Sequence, residues 1–164
     1  MDVLQGIALM AATITMGIGA GVYLLFVFAI MPGLSKTDDR TFVGAFQQID
    51  TAIVGPFLLV FFIGPLGFAA LAAAVHLGAD DRAELALIAA AIVLQLVMAG
   101  ITLRVNVPLN NDIKAAGDPS KIDVAAVRER FNEPRWIGAN NVRAVGATLA
   151  FGCLAWSLVL YGGS

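Results

Sequence analysis

Residues Ala83 to Asp112 read AELALIAAAIVLQLVMAGITLRVNVPLNND. The stretch from Ala83 to Leu103 is an apolar run of the length expected of a membrane-spanning helix. The rest gathers Asn106, Asn110 and Asn111 around Pro108. If the run spans, the solvent of this chain is lipid, and three amides stand at one end of a transmembrane helix.

Composition supports the lipid reading. The 164 residues are 59% hydrophobic and only 13% charged, with a mean hydropathy of +0.85, against about 45–50% apolar in an ordinary soluble domain. Charged residues are absent from Val3 to Ser35, Thr51 to Ala79, Leu85 to Leu103 and Ala144 to Ser164. Each stretch can cross a hydrocarbon core that needs roughly 20 apolar residues. The expected fold is all-α, an integral membrane four-helix bundle forming one domain over 1–164, with spans at 3–30, 52–77, 84–104 and 138–161. The first run opens MDVLQG, without Lys or Arg, and exceeds a signal-peptide core, so it is expected to be a retained span.

Lys and Arg are uneven. Lys36 and Arg40 lie between spans one and two; Arg104, Lys114, Lys121, Arg128, Arg130, Arg135 and Arg143 lie in or beside the connection between spans three and four; only Arg82 is on the other side. By the positive-inside rule, loops 31–51 and 105–137 are expected to be cytoplasmic and both termini outside, in a multi-pass plasma-membrane protein. A net charge of −2 gives no reason to expect a nucleic-acid partner. Membrane lipid and a small aromatic or amphipathic molecule are the expected partners.

Small residues mark the expected contact faces: Gly17, Gly19 and Gly21 in span one, and Gly146, Ala150 and Gly152 in span four. They serve packing within one bundle or between two copies, so a homo-oligomer stays open. GIGAG, 17–21, sits mid-span with no preceding strand and lacks the spacing of a dinucleotide loop. Span two carries Pro56 near its start and Pro65 within GPLG, where a missing backbone donor predicts a kink.

Within the long connection, IDVAAVRERF puts Val124, Val127 and Phe131 on one face, with Arg128 and Glu129 away from it, which predicts a short interfacial amphipathic helix between spans three and four. The end of span three and the start of span four therefore meet on one side of the membrane. There Trp136, Asn140 and Arg143 stand at i, i+4 and i+7 on one stripe. If the third helix continues through Pro108, Asn106 and Asn110 share one face while Arg104 and Asn111 take another. Gln47, Gln48 and Asp50 precede span two. Taken singly, such residues anchor or cap helix ends. Together they suit a ligand pocket, because each unpaired buried polar group costs roughly 1–3 kcal/mol.

The lone imidazole, His76, is at the opposite end of span two and is expected at the interface; the lone thiol is Cys153 in span four. That inventory offers no metal or haem ligand set, no intramolecular disulfide and no Ser-His-Asp arrangement beside the polar cluster. Chemistry there would use carboxylates, amides, arginine and aromatic faces, and no cofactor is expected.

The segments MPGLSKTDDRTFVGAFQQIDTAIVGPF, NVPLNN and RWIGANNVR resemble, in order and spacing, the anthrone oxygenase-like family of small four-span membrane proteins, over nearly the whole chain. The resemblance implies a four-helix membrane bundle and, in the few members with assigned activity, oxidation of anthrone-type polyketides to anthraquinones by molecular oxygen without metal or flavin. Pro32, Gly33, Asn106, Pro108, Asn110, Trp136, Asn140 and Arg143 match its motif positions. Asp50 departs from the pattern, in which asparagine is commoner.

A cofactor-independent oxygenase needs a substrate that forms a stabilised carbanion, a base, and donors for the enolate oxygen. On that reading the catalytic candidates are Asp50 as base, with Glu133 second, and Asn106, Asn110, Asn140 and Arg143 as donors. Gln47, Trp136, Asn111 and Pro108 would contact the substrate, with Trp136 stacking on a planar ring. Two alternatives stay open: a non-enzymatic protein that binds or transports a lipid or small metabolite, and an accessory subunit of a membrane complex.

Overall fold

The computed structural model describes residues 3–55, 58–77 and 82–163, and among them every regular element is helical. Helix α1 is Val3–Leu34. It is followed by α2, Asp39–Ile53. Helix α3 consists of a wide turn at Leu59–Ile63 and the regular segment Gly64–His76. Next come α4, Arg82–Ala115, the short α5, Val124–Phe131, and α6, Glu133–Gly163.

Among the described residues three helical stretches, Val3–Leu34, Arg82–Ala115 and Val124–Gly163, are long and apolar enough to cross a membrane; Gly64–His76 is apolar but shorter. Large apolar side chains such as Ile7, Ile14, Phe28, Leu96, Val97, Val145 and Trp156 point outward. Such a surface suits hydrocarbon. The span expected at 52–77 is not one continuous helix: α2 ends at Ile53, and Val54 turns extended with φ −76 and ψ 104. Pro56 lies outside the described residues.

Proline shapes three of these helices in the same way. The π-helical turns Phe26–Ile30, Leu59–Ile63 and Thr102–Asn106 each stand just ahead of a proline, Pro32, Pro65 and Pro108 respectively. At the end of each turn a backbone N–H reaches five residues back: Met31 to Phe26, Gly64 to Leu59, Val107 to Thr102. A proline ring clashes with the carbonyl four residues before it and cannot bond it, so one widened turn absorbs the conflict and the helix continues. Hence Pro108 does not end the third span, which runs on to Ala115.

Two cores result. Between α1, α3, α4 and α6 the packing is of small residues: Ala8, Ala12, Ala69, Ala72, Ala91, Ala147 and Ala150 with Leu9, Ile88 and Leu154. Close approach is real at Gly17, where an added Cβ would come within 2.9 Å of Phe151, and at Gly146, where it would meet Met98 at 3.1 Å. Gly21 and Gly152 face open space and take no part in it. On the side of the two long connections the core is aromatic, built on Phe26, Phe42, Phe46, Phe131 and Trp136.

That second core is assembled by α2 and α5. Asp38 caps α2, accepting from the Thr41 backbone N–H at 3.0 Å and its hydroxyl at 2.6 Å. Phe42, Val43, Phe46, Gln47 and Asp50 then share the buried face of α2. In α5, Val127 and Phe131 are buried and Val124 packs on the same cluster, as the amphipathic pattern predicts.

Arg128 departs from that pattern. It folds back to donate to Glu133 at 2.6 Å, to Asp39 at 3.1 Å and to the Thr37 and Ser35 carbonyls, with its guanidinium 4.3 Å from the centre of the Phe42 ring. Its long stem permits this, and the Ser35 and Thr37 carbonyls, just beyond the end of α1, supply acceptors. His76 also departs from expectation, being fully buried, with Nδ1 2.7 Å from the Ala72 carbonyl and its ring edge-on to Tyr161.

Candidate functional site

Because α4 continues through its widened turn, the amides around Pro108 are sorted onto two faces. Asn106 is 1% exposed and Asn110 faces α2, whereas Arg104, Pro108 and Asn111 are exposed. Pro108 and Asn111 therefore stand apart from the cluster that Asn106 and Asn110 join. Gln48 is exposed as well.

At the connection side the buried polar groups form a chain. Asp50, at the end of α2, meets Lys114 Nζ at 2.6 Å through Oδ2 and accepts from Asn110 Nδ2 at 2.6 Å through Oδ1. Asn110 Oδ1 in turn accepts from the Trp136 indole N–H at 2.7 Å. Asn106 Nδ2 donates to the Trp136 carbonyl at 3.3 Å, and its Oδ1 has no partner among the described residues. Gln47 donates to the Ile113 and Gly117 carbonyls at 2.8 and 3.1 Å, closing the C-terminal end of α4 where Gly117 adopts φ +94. Glu133 is held by Arg128.

These contacts assign Asp50, Asn110 and Gln47 an anchoring geometry. Asp50→Asn is expected to lower stability by on the order of 2 kcal/mol, between the surface and fully buried ion-pair cases. The side chains of Lys114 and Asp50 are 29% and 11% exposed. Thermal unfolding in lipid nanodiscs measures this, and Lys114→Met should recover part of the loss by removing the stranded cation.

Trp136, Asn140 and Arg143 occupy one buried stripe of α6, 3%, 2% and 6% exposed. Trp136 is packed among Phe26, Phe46 and Phe131, ring centroids 5.4, 5.6 and 6.3 Å away. Its ring is part of the aromatic core. Arg143 donates to Asn140 Oδ1 at 2.9 Å and to Thr102 Oγ1 at 3.3 Å, and Asn140 donates to the Tyr23 carbonyl at 3.2 Å. The guanidinium carbon lies 4.8 Å from the centre of the Tyr23 ring and 5.7 Å from that of Trp136. The Tyr23 hydroxyl faces Thr102 and Arg143. No carboxylate pairs with Arg143 among the described residues, and its Nε has no partner there.

Beyond Tyr23 and Thr102 lies a cavity of about 290 Å³ between α1, α3 and α4. Met16, Phe62, Met98 and Leu103 make its walls apolar, and its polar side chains are Tyr23, Thr102 and Gln95. Tyr23 stands edge-on to Phe62, centroids 5.3 Å apart. The widened turns of α3 and α4 both border the cavity, through Ile63 and Thr102, in keeping with the frequent placement of π-turns at functional sites.

Tyr23, Thr102 and Gln95 are absent from the sequence-derived site. The signal for them is polarity inside a charge-free span, where each such group needs a reason. Span ends hold the denser motifs and draw attention away from it.

Neither the curated proteins nor the solved structures contain a match to this chain. The family model for anthrone oxygenase matches residues 50–153. The matched stretch holds Asp50, the asparagines of α4 and the stripe of α6, and leaves the Met-Pro-Gly of α1 and the first connection outside. With more than half its length covered by that match, and its matched polar residues gathered at one end of a helical bundle with membrane-length spans, the chain belongs to the anthrone oxygenase family.

Proposed function

We propose that the protein oxidises a flat ring ketone, taken from the bilayer into the cavity, with molecular oxygen and without a cofactor. The observation that carries this reading is Arg143: a cation 6% exposed, with no carboxylate partner among the described residues, its guanidinium over the ring of Tyr23, which lines an apolar cavity. A buried charge without a counter-ion is costly. A ligand on which negative charge develops supplies what the site lacks.

Loss of a proton from the ring methylene moves negative charge onto the ketone oxygen. Tyr23 donates its O–H to that oxygen, and Arg143 behind it stabilises the enolate more than the neutral ketone, which is the differential binding that accelerates a reaction. The enolate passes an electron to oxygen, the ring radical and superoxide join through a new C–O bond, and the resulting peroxide anion takes up a proton, replacing the one the methylene lost, to become a hydroperoxide. Elimination of water breaks the O–O bond and leaves a second carbonyl. The two methylene hydrogens and one oxygen atom depart as water, and the other oxygen atom stays on the ring.

Asn140 holds Arg143, and the chain from Asp50 through Asn110 to Trp136 holds the aromatic face beside it, so these are positioning residues. The uneven Lys and Arg distribution supports placing this end of the bundle on the cytoplasmic side of a plasma membrane.

The test uses purified protein in nanodiscs with anthrone as probe. Oxygen uptake should match anthrone loss mole for mole and exceed that of empty nanodiscs. Saturable anthrone binding with no uptake above the blank would replace the oxygenase with a membrane binding protein.

A further inference from the structure

Gln95 is a polar group of the cavity that takes no part in the reaction above and, unlike Thr102, does not bind Arg143. It lies in the apolar run of α4, is 6% exposed and lines the cavity, and its amide nitrogen has no partner among the described residues. It shares a face of α4 with Thr102, seven positions on, which at 1.5 Å per residue sets the two roughly 10 Å apart along the axis. Met98 and Ala99 fill the interval as apolar wall. The cavity is thus polar at both ends and apolar between them.

Its volume of about 290 Å³ is near the lower limit of roughly 300 Å³ for small-molecule sites. That size suits a compact ring system and excludes a whole two-chain lipid. A lipid tail could enter, but it would leave the carboxamide unmatched, whereas an oxygen on a rigid ring would meet it. Turning the carboxamide about its last bond presents either the NH₂ or the carbonyl to the cavity, so it can serve a ring ketone or a ring hydroxyl.

We infer that Gln95 determines specificity by hydrogen-bonding an oxygen substituent at the end of the substrate remote from Tyr23 and Arg143, so that flat ring ketones oxygenated at both ends bind in one orientation. The orientation rests on the oxygenase reading, since it is Tyr23 that receives the reacting ketone. The contact at Gln95 is a matter of binding alone.

The experiment compares anthrone with an anthrone hydroxylated on a terminal ring, measuring equilibrium binding by fluorescence quenching in nanodiscs under argon, and turnover separately in air. Gln95→Leu should weaken the hydroxylated probe about tenfold, the worth of one buried hydrogen bond, and change anthrone less than twofold. Gln95→Met, closer in shape, should give the same pattern if the leucine variant is poorly folded. Equal loss for both probes, no change for either, or no binding of either by the unaltered protein would overturn the inference. Selective binding without turnover would overturn the oxygenase reading and leave the role of Gln95 standing.

Discussion

Arg143→Met is expected to lower the rate of anthrone oxidation by about 10²-fold, the lower end of the range found when stabilisation of a developing oxyanion is removed, while the folded protein stays about as stable as before. The two effects separate because they have different origins. Methionine refills the space and relieves the burial of an uncompensated cation, which favours the variant. Against that, Asn140 Oδ1 and Thr102 Oγ1 each lose a donor held at 2.9 and 3.3 Å. Those losses are of similar size to the gain. Initial rates and unfolding midpoints in the same nanodiscs measure both. Arg143→Lys keeps the charge but not the fork that reaches Asn140 and Thr102 together, so it should recover only part of the rate. A methionine variant that retains full activity would make Arg143 a structural element of the bundle and remove the main support for the proposed reaction.

Tyr23→Phe should reduce the rate by about 10²-fold and alter anthrone binding less than threefold. Only the hydroxyl is removed; the ring keeps its edge-on contact with Phe62 at 5.3 Å and the guanidinium over its face at 4.8 Å. The donor matters little to a neutral ketone and much to an enolate, so the loss should fall on turnover rather than binding. Because Arg143 acts behind this hydroxyl, the double variant with Arg143→Met should be scarcely slower than Arg143→Met alone. Rates that multiply would show two groups working independently.

The Asp50 substitution completes the contrast. If Asp50 anchors the network, Asp50→Asn destabilises the protein while the rate per folded molecule changes less than tenfold. A loss of 10² or more, in the range of a general base, would return Asp50 to the role its position before span two suggests.

The class of the molecule is legible in the order of residues alone: charge-free runs at Val3–Ser35, Leu85–Leu103 and Ala144–Ser164 suit lipid as their solvent, and the period of Val124, Val127 and Phe131 marks α5. So is the stripe of Trp136, Asn140 and Arg143, because helical spacing alone puts i, i+4 and i+7 on one face. Which neighbours those residues have follows from the tertiary packing. Spacing within α6 cannot say that Phe26, Phe46 and Phe131 from three other helices close around Trp136, or that Lys114 takes Asp50. Nor does the sequence show that the turn before Pro108 widens instead of breaking, which carries Thr102 to Arg143 and Asn110 to Asp50. The cavity follows from the same cause. Tyr23, Thr102 and Gln95 lie in two different apolar runs, and only the packing of α3 against both α1 and α4 brings them to one wall, because long-range contacts, unlike helical periodicity, are not written in the local order of residues.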